Sequence, residues 1–256
     1  MQTRTQPRFF MSDPLKPSRR LDPDYQVRIT PDIVRRWFDL YAESIAQAER
    51  RLTQLDACIG DGDHGANMRR GMSAVTAAFE EMSPAQLSGQ FRAISTVLIR
   101  SVGGAAGPLY GTFFLQAAQT TAYKPGLSLT DLAAVVEAGC RGVVHLGKAA
   151  PGDKTMVDTL AAAVASLQTS VARHESLPLA VRNCRAATHH AAIATTPMVA
   201  RKGRASYLGE RSAGVQDPGA ASAALLFDAL AAAVTEPALT LSTSTADFQQ
   251  PTLASP

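Results

Sequence analysis

Apolar residues recur at helical spacing through eight successive stretches of this chain, and nothing alternates convincingly with period two, so the fold is restricted to a bundle of helices. Val34, Trp37, Phe38, Tyr41, Ile45, Ala48, Leu52 and Leu55 form the first stripe, a core face rather than a cofactor box. Thr30 caps it, Pro31 is tolerated in its first turn, and it delivers Asp56 at its C-terminal end. A second helix runs from about Ala66 to Met82, and Ser83-Pro84 begins a third through Leu87, Phe91, Ile94 and Leu98. Pro108 opens a fourth through Phe113 and Phe114, and Ser128 to Asp131 open a fifth that reaches Gly147. Met156, Leu160, Val164 and Leu167 mark the sixth, Pro178 starts a seventh that extends to about Thr195, and Asp217-Pro218-Gly219 starts the eighth, which ends near Val234. The fold class is therefore all-α, an eight-helix up-and-down bundle.

A chain of 256 residues is long enough to bury one sizeable core, here expected over 30–234. Residues 1–29 carry six basic and three acidic side chains, which equals the whole formal charge of +3, so the rest of the chain is balanced. That stretch reads as a flexible basic leader, and 235–256, rich in Thr, Ser, Gln and Pro, as a disordered tail. No basic helix with interleaved aromatics follows the leader, which argues against a nucleic-acid partner. Cys58, Cys140 and Cys184 are scattered and odd in number, which fits a reducing compartment, and Cys58 reads as a packed thiol rather than a soft metal ligand. No run approaches the length of a membrane span and the start lacks a secretory apolar segment, so a cytoplasmic protein without a membrane partner is expected.

The chemistry concentrates in LDACIGDGDHGANMRRG, residues 55–71, where Asp56, Asp61 and Asp63 stand beside His64 and Asn67. Carboxylates this dense repel one another unless a cation sits between them, and Mg²⁺ prefers such hard oxygen ligands. Aspartate and glycine also make ordinary turns, but here two helical patterns flank the run. Three further glycine-bearing segments stand at helix ends: SVGGAAGP, GKAAPGDK and the QDPG start of the eighth helix. In an up-and-down bundle alternate connections share an end, so these four segments gather at one rim, where helix N-termini favour an anion. The connection 198–216 is unusually long and contains Arg201, Lys202, Arg204 and Arg211, the composition of a lid over something anionic. Lys148 and Lys154 have a plain reading as solvated loop cations, and Asp217 as a helix cap.

GDGDHGANM, GGAAGPLYGTFF, GKAAPGDKTMVD and ARKGRASYLGERSAGVQDPGA resemble the nucleotide-binding L subunit of dihydroxyacetone kinases and the equivalent C-terminal domain of the single-chain ATP-dependent kinases, over about residues 30–234. The resemblance implies an eight-helix antiparallel barrel with a nucleotide at one rim. It implies that Asp56, Asp61 and Asp63 hold two Mg²⁺ ions, and that His64, Gly65, Ala66, Asn67, Ala105, Ala106, Gly147, Met156, Arg204, Asp217, Pro218 and Gly219 contact ADP or ATP. No residue is expected to act as a covalent catalyst. Two positions depart from the family: Ala106 replaces a common serine, and Val215 a frequent histidine. The implied partners are a K subunit that carries the ketose and, in phosphotransferase-linked systems, the phosphohistidine M subunit, with a homodimer as a further candidate assembly. The ketose is dihydroxyacetone or a relative such as erythrulose, the phosphoryl donor is ATP or the phosphohistidine protein, and the chain is expected to be inactive alone. A non-catalytic, nucleotide-bearing regulatory partner is the competing reading.

Overall fold

The computed structural model describes residues 27–81 and 86–236. Eight α-helices follow one another: α1 (Pro31–Ile59), α2 (His64–Glu81), α3 (Leu87–Ser101), α4 (Ala106–Thr120), α5 (Leu129–Gly147), α6 (Met156–Ala172), α7 (Leu177–Ala194) and α8 (Pro218–Thr235). Each packs on the next and α8 returns against α1, closing an up-and-down ring. The described residues contain no strand; one antiparallel bridge, Ile29 with Leu127, ties the entry to α1 against the entry to α5. The all-α, eight-helix architecture expected from periodicity is the one observed.

The stripe on α1 fills the middle of the ring. Phe114 meets the Phe38 and Phe113 rings edge-on, each at 5.0 Å between centroids, and Trp37 leans on Phe91. The polar ends of the large aromatics find carbonyls on α8: Trp37 Nε1 donates to Leu226 O at 2.8 Å and Tyr41 OH to Ser222 O at 3.1 Å. Among the described residues only α8 is long and apolar enough to pass for a membrane span, contrary to the expectation that no run would; it lies mostly buried inside the ring. Cys58 is exposed rather than packed, because it faces away from the α1 stripe, while Cys140 and Cys184 are buried.

Helix starts follow the caps. Thr30 Oγ1 accepts from Ile33 N, Ser128 and Asp131 form a reciprocal capping box, and Asp217 caps α8, as the sequence indicates. Three starts lie earlier than expected: α2 at His64 rather than Ala66, α4 at Ala106, with Pro108 inside its first turn, and α7 by one residue, at Leu177 rather than Pro178. The expected end of the second helix at Met82 and the Ser83-Pro84 start of the third fall outside the described residues, as do residues 1–26 of the leader and 237–256 of the tail.

Gly65 sets how closely α2 approaches α1. A Cβ there would overlap Glu49 O and Thr53 Oγ1, a backbone and a short side chain that cannot swing clear. Gly65→Ala should therefore destabilise the fold by about 1–3 kcal/mol despite alanine's better helix propensity. Thermal denaturation reads this directly, and an unchanged Tm would show that the two helices separate freely.

Candidate functional site

The connections 60–63, 102–105, 148–155 and 195–217 meet at one end of the ring, where two adjoining hollows open. The first draws on all four: Asp56 and His64, Ala105 and Ala106, Thr155 and Met156, Arg204, and Asp217-Pro218-Gly219 line it. The second, about 710 Å³ and within the usual range for ligand sites, is lined by Asp61, Asp63, Asn67 and Gly103-Gly104 together with Arg201 to Arg204. An apolar hollow adjoins them, walled by Leu109, Val143, Leu146, Gly147 and Met156. Of the residues expected in the site, Gly65 and Ala66 line none of the three; Gly65 is turned into α1 and Ala66 outward. They lie in the first turn of α2, and their N–H groups have no partner among the described residues.

Asp56, Asp61 and Asp63 each bring a carboxylate oxygen within 4.8 Å of the others. Asp56 is buried, and its Oδ2 accepts from Asp63 N at 2.9 Å and His64 N at 3.1 Å, so the last turns of α1 cap α2 and hold the loop 60–63 in place. That cap comes from another helix, which is why α2 starts before its own sequence signal. Arg204 NH1 lies 2.9 Å from Asp61 Oδ2 and brings one positive charge to three negative ones. Three clustered carboxylates, one of them fixed by backbone amides, are a donor set that suits a hard divalent cation such as Mg²⁺.

The helix N-termini at this rim differ. At α6, Thr155 and Asp158 satisfy each other in a capping box, and Asp158 also accepts from Gly152 N at 2.5 Å. At α4, no side chain caps the first turn, and Ala106, where a serine would add a hydroxyl, offers backbone only. Gly104, at φ +64°, makes the left-handed turn that brings the chain into α4, a conformation costly for a side chain. Asn67 is held by Arg70, whose NH2 donates to its Oδ1 at 2.7 Å, which leaves the amide nitrogen for the hollow it lines.

The long connection is built rather than loose. It contains a 3-10 helix, Arg204–Ser212, and its underside packs Ala200, Ala205 and Leu208 against Ile59 of α1. Ser212 Oγ accepts from Ala200 N at 2.8 Å and donates to Gly209 O. Lys202 and Arg204 line the hollows, whereas Arg211 lies apart from them on the surface.

Sequence reasoning missed four residues. Lys154 is fully buried, against its plain reading as a solvated cation, and donates to three backbone carbonyls, while Lys148 is exposed at the end of α5. Tyr110 and Ser222 form a polar chain to His64, and nothing in an aromatic-rich helix or an alanine-rich one marks them. Asp158 could have been found, since Thr155 followed three residues later by a carboxylate is a capping-box pattern. Burial pushes the His64 ring down from its ordinary pKa, against the pull of Asp56 and Asp63.

Asp217 Oδ2 accepts from Ala220 N at 2.7 Å, and its N–H donates to Thr195 Oγ1 at 3.0 Å. Burial pushes its carboxyl up to about 7, against the Ala220 N–H and Lys154, which favour the anion, with Asp158 and Asp56 adding to the rise. Between about 4 and 7 the folded state holds a proton that the unfolded chain has released, so this group's stability contribution is lost as pH rises through that window. Asparagine caps as well as aspartate without the charge. Asp217→Asn should raise the Tm of the metal-free protein by about 5 °C at pH 8, the gap closing toward pH 4. A gap independent of pH would overturn the assignment.

The DAK2 domain family matches residues 58–232. The ADP-binding subunit DhaL of the PEP-dependent dihydroxyacetone kinase of Escherichia coli K12 is 42% identical over 200 residues, 78% of this chain and 95% of the relative. The D-erythrulose kinase of Mycolicibacterium smegmatis is 38% identical over 207 residues, 79% of this chain and 35% of that longer protein. The dihydroxyacetone kinase from C. freundii in complex with AMP-PNP and Mg²⁺ superposes with a TM-score of 0.59 at 26% identity, covering 88% of this chain and 38% of that one.

Proposed function

The chain belongs to the DAK2 domain family, and from that premise we propose that it is the Mg-nucleotide subunit of a dihydroxyacetone kinase, passing phosphate through bound ADP/ATP to a ketose held on a separate K subunit. The observation that carries this is the convergence of three carboxylates, the uncapped N-terminus of α4 and the Arg204 connection on one pair of hollows. Asp56, Asp61 and Asp63 would hold two Mg²⁺ ions, which when bound neutralise phosphate charge and keep the phosphoryl group electrophilic. The remaining work is binding and orientation. N–H groups of Gly65, Ala66, Ala106 and Gly219 receive phosphate oxygens, Asn67 donates its amide, and His64 adds a ring donor. The apolar hollow with Gly147 and Met156 takes the base. Arg204 spreads positive charge over the transferring group. No side chain needs to form a covalent intermediate.

Resemblance to a PEP-dependent subunit favours ADP as a retained cofactor, recharged by a phosphohistidine M subunit. The match to an erythrulose kinase supports a second reading, in which the ketose differs and ATP exchanges at each turnover. Both are tested together: ADP content is measured after exhaustive dialysis, and turnover with K subunit plus ATP is followed on dihydroxyacetone and erythrulose. ADP retained at one per chain with no ATP-driven steady state supports the first reading. Sustained ATP turnover overturns it, retained ADP that no K and M subunits can recharge supports the non-catalytic nucleotide-bearing partner, and a protein that neither retains ADP nor turns over ATP overturns all three readings.

A further inference from the structure

Ser222 is a fully buried hydroxyl in a helix whose neighbouring positions, Ala220, Ala221, Ala223 and Ala224, are all alanine, so packing alone does not call for it. Its Oγ lies within hydrogen-bond distance of Tyr110 OH at 2.8 Å, His64 Nε2 at 2.9 Å and Gly219 O at 3.1 Å. A serine has one proton and two lone pairs to divide among them. Tyr110 OH is buried between Ser222 Oγ and the Tyr41 hydroxyl; Tyr41 directs its own proton to Ser222 O, and Ser222 Oγ, at 2.8 Å, is the acceptor within hydrogen-bond distance that a buried phenol needs, so Tyr110 donates to it. The serine proton then has two acceptors. Gly219 O is the more distant and lies within α8's own backbone ladder, which leaves His64 Nε2 as the better one. A neutral ring that accepts at Nε2 carries its proton at Nδ1, which has no partner among the described residues on a ring that lines both polar hollows.

We infer that Ser222 and Tyr110 are positioning residues for His64: the hydroxyl chain Tyr110–Ser222–His64 fixes the ring proton at Nδ1, so the rim offers an N–H donor to a nucleotide phosphate. The identity of that anion rests on the functional reading above; the hydroxyl chain does not. Tyr41 OH, which donates to Ser222 O, holds the same residue from the core side.

The test is long-range proton–nitrogen NMR of the five histidine rings in the full chain, with His64 assigned by the signal that His64→Gln removes. The expected result is a neutral His64 protonated at Nδ1. Ser222→Ala should move the proton to Nε2 or mix the two forms and weaken MgADP binding about tenfold by calorimetry, one hydrogen bond's worth. Tyr110→Phe, which keeps Ser222, should give a smaller shift in the same direction, and it carries the test if Ser222→Ala does not fold. A wild-type ring protonated at Nε2, a cationic ring, or a tautomer unmoved by either substitution would overturn the inference. A Ser222-dependent Nδ1–H form in a chain that binds no MgADP supports the hydroxyl chain and overturns the nucleotide reading instead.

Discussion

Asp61→Asn is expected to cut Mg²⁺-dependent nucleotide binding by about a hundredfold or more while leaving the fold intact. Asp61 is exposed, and its ion pair with the largely exposed Arg204 is worth about 0–1 kcal/mol at a surface. Its value lies in being the third anionic oxygen of a cluster whose buried member, Asp56, already spends one oxygen on two backbone amides. Even groups that only orient a metal's ligands change affinity 10–100-fold when removed, so loss of a direct anionic ligand should exceed that range. Calorimetric titration of ADP with Mg²⁺ and with chelator separates the two contributions. Wild type and variant should bind alike in chelator and diverge once Mg²⁺ is added, and steady-state phosphoryl transfer with a K subunit should fall in parallel. Wild-type Mg²⁺ dependence in the variant would sink the metal assignment.

Much of this site follows from local chemistry. The stripe from Val34 to Leu55, the Ser128 box and the Asp217 cap each declare a helix within a few residues, and parity of connections in an up-and-down ring then brings alternate loops to one end. Apart from the local Thr155–Asp158 box and the outward face of Cys58, what escaped depends on contacts distant in sequence. Helix α2 begins at His64 because a carboxylate on α1 caps it, and Lys154 is buried because carbonyls 41 and 61 residues further along converge on it. Ser222 has meaning only through His64 on α2 and Tyr110 on α4, 158 and 112 residues away. Periodicity and capping rules see one element at a time, so polar groups shared between elements stay invisible to them.

Lys154 carries the largest stability effect to be expected at this rim. Its ammonium donates to Thr195 O at 2.8 Å, Thr196 O at 3.3 Å and Val215 O at 2.5 Å, tying the connection before α6 to both ends of the connection before α8. Burial lowers its pKa, opposed by Asp217, yet three carbonyl dipoles still favour the charged form. Lys154→Met keeps the stem and removes the donors: Thr195 O and Thr196 O retain Met198 N at 3.2 Å and Gly214 N at 2.8 Å, while Val215 O loses its partner among the described residues. The expected loss is about 2–4 kcal/mol, the scale of charge-assisted hydrogen bonds less the cost of burying the ammonium, a fall in Tm of about 10 °C for a domain of this size. Arginine should not rescue, because the carbonyls converge on a point and the guanidinium is larger and planar. Lys154 also sits at φ +61°, where a side chain costs about 1–2 kcal/mol. Lys154→Gly relieves that strain but loses the same three bonds and also the fully buried methylene stem, worth about 0.8 kcal/mol per CH₂, so it should fall further than Lys154→Met. A Tm within 2 °C of wild type for Lys154→Met would mean that the carbonyls find other donors. If glycine instead proved better than methionine, relief of the left-handed backbone strain at this position would outweigh the buried stem.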